Sequence, residues 1–528
     1  MSAHPTLLGR ARRDTLADAL HRSVRRQPDA LALTFAGRSW SYAALEEGAN
    51  RVAHALLAAG LIKGDRVLAF GQNSDAYVLL WLACARAGLV HVPVNYALRR
   101  SELSYLAEQS GAVAAFTDPA LLPHLEEALA NPLKLRGTFH GGQEGDVLTW
   151  AQDERLNLSL PDVELSGEDL AQLLYTSGTT ALPKGAMMTH AALHAHYLSC
   201  LHDLDLSRDD VALAALPLYH SAQMHVFLMP GLLAGATCHL IASPTPDTVL
   251  PLLEGQGITS FFAPPTVWVG LLRHPEFRTR DLGRLKKLYY GASIMPTPVL
   301  HEIMEALPHA GFYNCYGQSE LGPLATVLRP EEHRERPASA GRPVLNVQSR
   351  VVTPEMQNTA PGEPGEIVHR SPQLLTGYWD KPEETQAAFD GGWFHSGDLG
   401  YLDDAGYLYV VDRVKDVINT GGVLVAGREV EEALFTHPAV SEVAVIALPD
   451  DAWIEAVTAV VVLRAGATAT GEELRAHARA GLAPFKVPKH IHFVGELPRN
   501  TAGKILKREL RERFAPRPDT AQNDEENP

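Results

Sequence analysis

Tyr175-Thr176-Ser177-Gly178-Thr179-Thr180-Ala181-Leu182-Pro183-Lys184-Gly185 sets four Ser/Thr hydroxyls, two glycines and a lysine in eleven residues. It follows an apolar run, 170–174, that reads as a strand. Small hydroxylated residues let backbone N–H and side-chain O–H groups close around phosphate oxygens, and Lys184 adds a point charge. A polyphosphate cradle is the functional reading, and a Ser/Thr/Gly turn between strands is the plain one. It is not a Walker A loop: counted from Gly178, the required second glycine is Pro183, and Lys184 is followed by Gly185 instead of Ser or Thr.

The rest of the chain bounds what surrounds that cradle. A length of 528 residues implies at least two domains. An apolar content of 46% with 20% charged residues is that of a globular enzyme. A net charge of −16 argues against nucleic acid and anionic membrane as partners, since both need a basic field. The first fifteen residues lack an apolar core, so no secretory signal is expected. The most apolar stretches, 77–94 and 226–236, are respectively interrupted by Arg86 and too short to span a bilayer, so no membrane insertion is expected. Cys84, Cys200, Cys238 and Cys315 form no CxxC and fit buried thiols in a reducing cytoplasm. His194 and His196 read as surface or core residues rather than metal ligands.

Apolar strands alternate with amphipathic helices over the first 400 residues. The pattern predicts a helix between Ser41 and Gly60, a strand at 66–70, a helix at 75–87 and a strand at 91–94. Such alternation implies layered α/β sheets, largely parallel. Between 391 and 412 the texture changes to short strands punctuated by Gly and Asp. From Lys415 a compact α+β pattern follows: helix 428–435, strands 443–447 and 457–463, helix 472–480 and strand 490–494. The tail 516–528 is polar and reads as disordered. The expected organisation is a large N-terminal α/β domain (1–412), a hinge (413–415), a small mobile lid domain (416–515) and that tail.

The opening stretch resembles the phosphate-binding signature of the AMP-forming acyl- and aryl-CoA synthetase, luciferase and adenylation-domain superfamily. That family has glycine at the position of Ala181, and at positive φ an alanine there costs about 1 kcal/mol. Four further elements follow in the same order. Tyr313-Asn314-Cys315-Tyr316-Gly317-Gln318-Ser319-Glu320 is similar to the family's Tyr-Gly-x-Thr-Glu, with Ser319 keeping the hydroxyl. Glu320 matches the carboxylate that holds Mg²⁺ against the phosphates, a hard oxygen donor of the kind magnesium demands, with Thr179 beside it. Tyr316 offers a face and Asn314 an amide to adenine, and Gly291-Ala292-Ser293 matches the small turn against the ring. Trp393-Phe394-His395-Ser396-Gly397-Asp398 and Asp412-Arg413-Val414-Lys415 place Asp398 and Arg413 on the ribose and Lys415 at the hinge. Pro498-Arg499-Asn500-Thr501-Ala502-Gly503-Lys504 ends on the lysine that the resemblance makes essential for adenylation. Joining a carboxylate to a polyphosphate brings two anions together, so a cation is needed where charge builds.

The resemblance also implies a CoA channel at Gly421-Gly422, followed here by Val423-Leu424 where many relatives are polar. The acyl pocket is expected to use His220, Ser221, Met224, Ala263 and Tyr290, with His220 as gate and not as base. No Asp lies in 219–221, and an unpaired ammonium buried there would cost several kcal/mol, which excludes amino acids as good substrates. The implied activity is ATP-dependent activation of a carboxylic acid to acyl-AMP and then acyl-CoA. Thr176, Ser177, Gly178, Thr180 and Gly317 complete the expected nucleotide contacts. A medium- to long-chain fatty acid is the preferred substrate, with an acyl-AMP or aryl-acid ligase as the near alternative. A silent nucleotide-binding regulator, supported only by Ala181, is the alternative from another class. A homodimer is what the family suggests.

Overall fold

The computed structural model describes residues 11–515 except 130–131, 143–144, 177–181, 294, 422, 451–452 and 500–504. Two mainly parallel sheets form the larger part. The first has the spatial order Leu135–Thr138, Ala114–Thr117, Arg66–Phe70, Val90–Val94, Leu170–Thr176, Lys184–Thr189. Its neighbours are parallel except the last pair, which is antiparallel. The second has nine strands, in the order Arg342–Pro343, Leu324–Leu328, Gly311–Gly317, Lys287–Gly291, Ser260–Phe262, Val211–Ala214, Thr237–Leu240, Leu31–Phe35, Arg38–Ser41. Parallel neighbours need crossover connections, which is why helices recur between the strands.

Helix Asp75–Ala87 shows how sequence and packing agree. Ser74 caps its start, Gly88 ends it at φ 69°, and every residue of it is buried. A helix apolar on all sides belongs inside a protein or a membrane. Here it packs into the largest apolar cluster, which draws residues from strands of both sheets. Arg86 is buried with it, donating from Nη1 to Leu82 O at 3.0 Å and lying 3.8 Å from Glu46. No helix among the described residues is long and apolar enough to cross a membrane.

A four-stranded antiparallel sheet follows: Gln348–Val352, Gly365–Arg370, Phe394–Leu402 and Leu408–Arg413. It begins well before residue 391, where the sequence reading puts the change of texture. The paired Val351 and Ile367 are as buried as strands of a parallel sheet, so their local pattern does not separate the two. Beyond Arg413 lies a separate five-stranded sheet built on the hairpin Val440–Asp450 and Ile454–Leu463. The expected strands 443–447 and 457–463 are the apolar middles of those longer ones. Helices Gly427–Phe435 and Gly471–Gly481 cover it, the second opened by a Thr470–Glu473 capping box.

All four cysteines are buried and free. His194 meets Asp14 at 3.0 Å, and His196 is buried, accepting from Leu324 N at 3.0 Å. No cluster of three metal-ligating side chains occurs among the described residues.

Candidate active site

Thr176 and Lys184 stand opposite each other in the antiparallel pair that ends the first sheet. They bracket the phosphate stretch. Ser177, Gly178, Thr179, Thr180 and Ala181 lie outside the described residues, and so do the expectations placed on them. Tyr105 supports the far side, its hydroxyl donating to Pro183 O at 3.0 Å. Glu320 sits in the short 3₁₀ turn Ser319–Leu321 and is 8% exposed. Its Oε1 accepts from Thr176 Oγ1 at 3.0 Å and from Tyr378 OH at 3.2 Å. Among the described residues its Oε2 has no hydrogen-bond partner. The structure thus joins two motifs 144 residues apart.

Tyr378 was not singled out by the sequence reading. Besides bonding Glu320, its ring lies 4.9 Å from Lys184 Nζ. Burial, and then the Glu320 carboxylate, push its hydroxyl well above the usual tyrosine range, so it acts as a donor. The available signal was an aromatic pair, Tyr378-Trp379, behind Gly377. Nothing local distinguishes it from a surface turn.

The nucleotide residues also converge. Antiparallel register sets Asp398 opposite Arg413, with Nε 2.6 Å from Oδ1. Tyr316 OH donates to Oδ2 at 2.7 Å. Tyr316 therefore presents its hydroxyl to the same carboxylate that is expected on the ribose. Asn314 already donates to Ser339 O at 2.8 Å. Gly317 closes the strand Gly311–Gly317 that bears both. Gly291 faces Cys315 across the strand pair, and a Cβ there would fall 2.2 Å from Cys315 O. The neighbouring strand alone thus requires this glycine. Ala292 follows at φ 62°, and both it and Ser293 are exposed.

Ser221 Oγ lies 2.8 Å from Ser319 Oγ, which brings the expected acyl segment against the Glu320 turn. His220 is half-buried beside it and accepts from Ala222 N through Nδ1 at 3.3 Å. The chain then enters a π-helix, Ala222–Leu228, an irregularity common at functional sites. Met224 on that helix is buried in the main core. A narrow cavity of about 20 Å³ lies beside it, lined by Gln223, Phe227, Phe262 and Tyr289 among others. Ala263 and Tyr290 are one residue out of phase and pack in the cluster on the other face of the sheet, Tyr290 bonding His333 at 3.0 Å. The structure does not bring them to Met224.

Lys415 occupies the turn Val414–Asp416 between the two antiparallel sheets. Polar contacts tie this turn and the strand before it to helices of the last domain: Arg511 to Asp416 at 2.5 Å, and Gly427 N to Asp412 Oδ2 at 2.8 Å. Burial raises the Asp412 carboxyl, with Lys507 acting against it. Gly421 has φ 65°, donates to Trp453 O at 2.6 Å and leaves room for the Trp453 ring, 3.3 Å from where a Cβ would be. Gly422 and Lys504 lie outside the described residues.

A carboxylate set against a hydroxyl-rich strand end, with a second carboxylate paired to arginine on an adjoining sheet, defines an adenylate-forming ligase. The profile of the AMP-binding enzyme family matches residues 20–379, and that of the AMP-binding enzyme C-terminal domain matches 429–504. The chain belongs to this family and is an AMP-forming acyl-CoA synthetase. It is similar to a feruloyl-CoA synthase of Amycolatopsis sp, 38% identical over 93% of this chain and 98% of the relative. It is also similar to a long-chain-fatty-acid–CoA ligase of Bacillus subtilis strain 168, 32% identical over 94% of both. ATP-bound MatB from Rhodopseudomonas palustris shares the fold, with TM-score 0.88 and 32% identity over 94% of this chain and 99% of that one. ATP and CoA are substrates of this family.

Proposed function

We propose that this synthetase activates an aromatic carboxylic acid of about arylpropenoate size. The observation that supports this most is the aromatic cluster on the π-helix that follows His220 and Ser221. Phe227 and Phe262 stack at 4.3 Å and Phe227 meets Tyr289 at 5.0 Å, ring faces of the kind that suit an aromatic acid. Gln223 lines the cavity and bonds Leu216 N at 3.2 Å, linking it to the gate segment. Similarity to a feruloyl-CoA synthase points the same way. A medium- to long-chain fatty acid is the second reading, favoured by the fatty-acid ligase relative.

In the first step the acid's carboxylate attacks the α-phosphate, giving acyl-AMP and pyrophosphate. Thr176 and Lys184 hold the phosphates, with Ser177, Gly178, Thr179 and Thr180 between them, and Lys504 meets the charge that builds at the reacting centre. Glu320 fits a magnesium ligand: its buried carboxylate has one oxygen oriented by two neutral hydroxyls and the other without a partner among the described residues. Magnesium bound there, with Thr179 beside it, would draw charge off the phosphates. Asp398 and Arg413 hold the ribose, and Gly291, Ala292, Ser293, Asn314 and Tyr316 border the adenine. In the second step the lid domain, residues 416–515, turns about Lys415. It withdraws Lys504 and brings Gly421 and Gly422 to the site, where the CoA thiol displaces AMP.

Mass spectrometry of products from enzyme, MgATP, CoA and a panel of arylpropenoic, benzoic and fatty acids tests this. Aryl-CoA with AMP in equal amount is expected. Fatty acyl-CoA alone would establish the second reading, and acyl-AMP without thioester would make the enzyme an acyl-AMP ligase.

A further inference from the structure

Tyr378 lies between the two groups of opposite charge that this site most needs to keep apart. Its hydroxyl donates to Glu320 Oε1 at 3.2 Å, and its ring face lies 4.9 Å from Lys184 Nζ. Lys184 has no carboxylate partner among the described residues. Paired with each other, this lysine and this buried carboxylate would neutralise both the phosphate-binding cation and the metal-binding anion. Here each is held by a neutral group instead.

The backbone fixes Tyr378 in that place. Ala186 and Tyr378 form an antiparallel bridge, Trp379 N donates to Gly185 O at 2.8 Å, and Met187 N donates to Gly377 O at 2.9 Å. Leu375 N donates to Glu320 O at 2.9 Å, so the same segment also clasps the Glu320 turn. Tyr378 N donates to Thr385 Oγ1 at 2.9 Å and the side chain is buried. The segment adds itself to the edge of the strand that starts at Lys184, with Tyr378 aimed at the site.

We infer that Tyr378 is a positioning residue, a neutral spacer that orients Glu320 through its hydroxyl and Lys184 through its ring. This rests on the reading of Glu320 as the magnesium ligand. Thr176 and Tyr378 both donate to Oε1, which leaves Oε2 for the cation. Because both donors are uncharged, the carboxylate keeps its full negative charge.

The test is calorimetric titration of the full chain with ATP, without acid or CoA, in EDTA and across a MgCl₂ series. Tyr378→Phe keeps the ring and removes the hydroxyl. It should raise the magnesium concentration for half-maximal tightening about three- to tenfold, the loss of one hydrogen bond. Binding of ATP in EDTA should change less than this magnesium midpoint, since the ring against Lys184 is kept. Tyr378→Leu removes the ring too and should also weaken ATP binding in EDTA, since Lys184 is released toward Glu320. Glu320→Gln is the control. If it abolishes the magnesium effect while Tyr378→Phe leaves it untouched, the inference is overturned. If Glu320→Gln itself leaves the magnesium series unchanged, the metal reading beneath it fails instead. Tyr378→Phe is nearly isosteric, so the outcome stands even where Tyr378→Leu does not fold.

Discussion

Arg413 Nε lies 2.6 Å from Asp398 Oδ1, across a strand pair that brings together residues fifteen apart in sequence. Tyr316 from the nine-stranded sheet completes the cluster on Oδ2. Asp398→Asn should therefore weaken ATP binding at least tenfold. Arg413→Ala added to it should cost little more, because the pair acts as a unit. A double-mutant cycle should show coupling of roughly 1–3 kcal/mol. Strictly additive losses would mean that the two residues meet the nucleotide independently.

Gly291→Ala tests the close approach of two strands. The added methyl would stand 2.2 Å from Cys315 O, a backbone atom that cannot step aside. Overpacking of this kind costs about 1–3 kcal/mol, readable in a denaturant titration. Unchanged stability would show that Lys287–Gly291 and Gly311–Gly317 separate easily at this end.

Helices and strands with a strong local pattern were legible in sequence. Ser41 and the apolar runs behind it and at 75–87 marked the starts of their helices, since capping and periodicity are local effects. The meeting of Thr176 with Glu320 was legible only as two motifs that matched one family. Tyr378 was illegible because its role exists only through pairing with a strand some 190 residues earlier. Phase was lost too. Phe262 and Tyr289 pack in the same core as Met224 while Ala263 and Tyr290 pack on the other face, a one-residue difference that composition cannot reveal where both faces of a sheet are buried.

Lys504→Ala should cut acyl-AMP formation by roughly 10²–10³, as loss of a charge-stabilising donor does. Transfer from supplied acyl-AMP to CoA should be spared, because that step needs no cation between two anions. Half-reaction assays separate the two. Equal loss in both would take Lys504 out of adenylation and leave it a structural residue of the lid.

Acid should unfold this protein early. Burial holds His91 and His225 at about 3 and His190, His333 and His369 at about 4, with His196 also well below the ordinary 6.5. His91 and His225 share one chain of hydrogen bonds through Gln172, at 3.0 and 2.7 Å, and Tyr197 ends it at 2.7 Å. Below pH 6.5 the unfolded chain takes up protons that the folded one refuses until about pH 4. Stability therefore rises with pH across that window and is lost as pH falls through it. Each such histidine contributes at most about 1.4 kcal/mol per pH unit, so even a few of them weigh against the roughly 5–15 kcal/mol stability of a typical domain. Thermal denaturation followed by circular dichroism should show Tm falling steeply between pH 6.5 and 5. A flat Tm from pH 7 to 5 would mean that these imidazoles gain protons in the native state, and the buried Gln172 chain would then have to open to water.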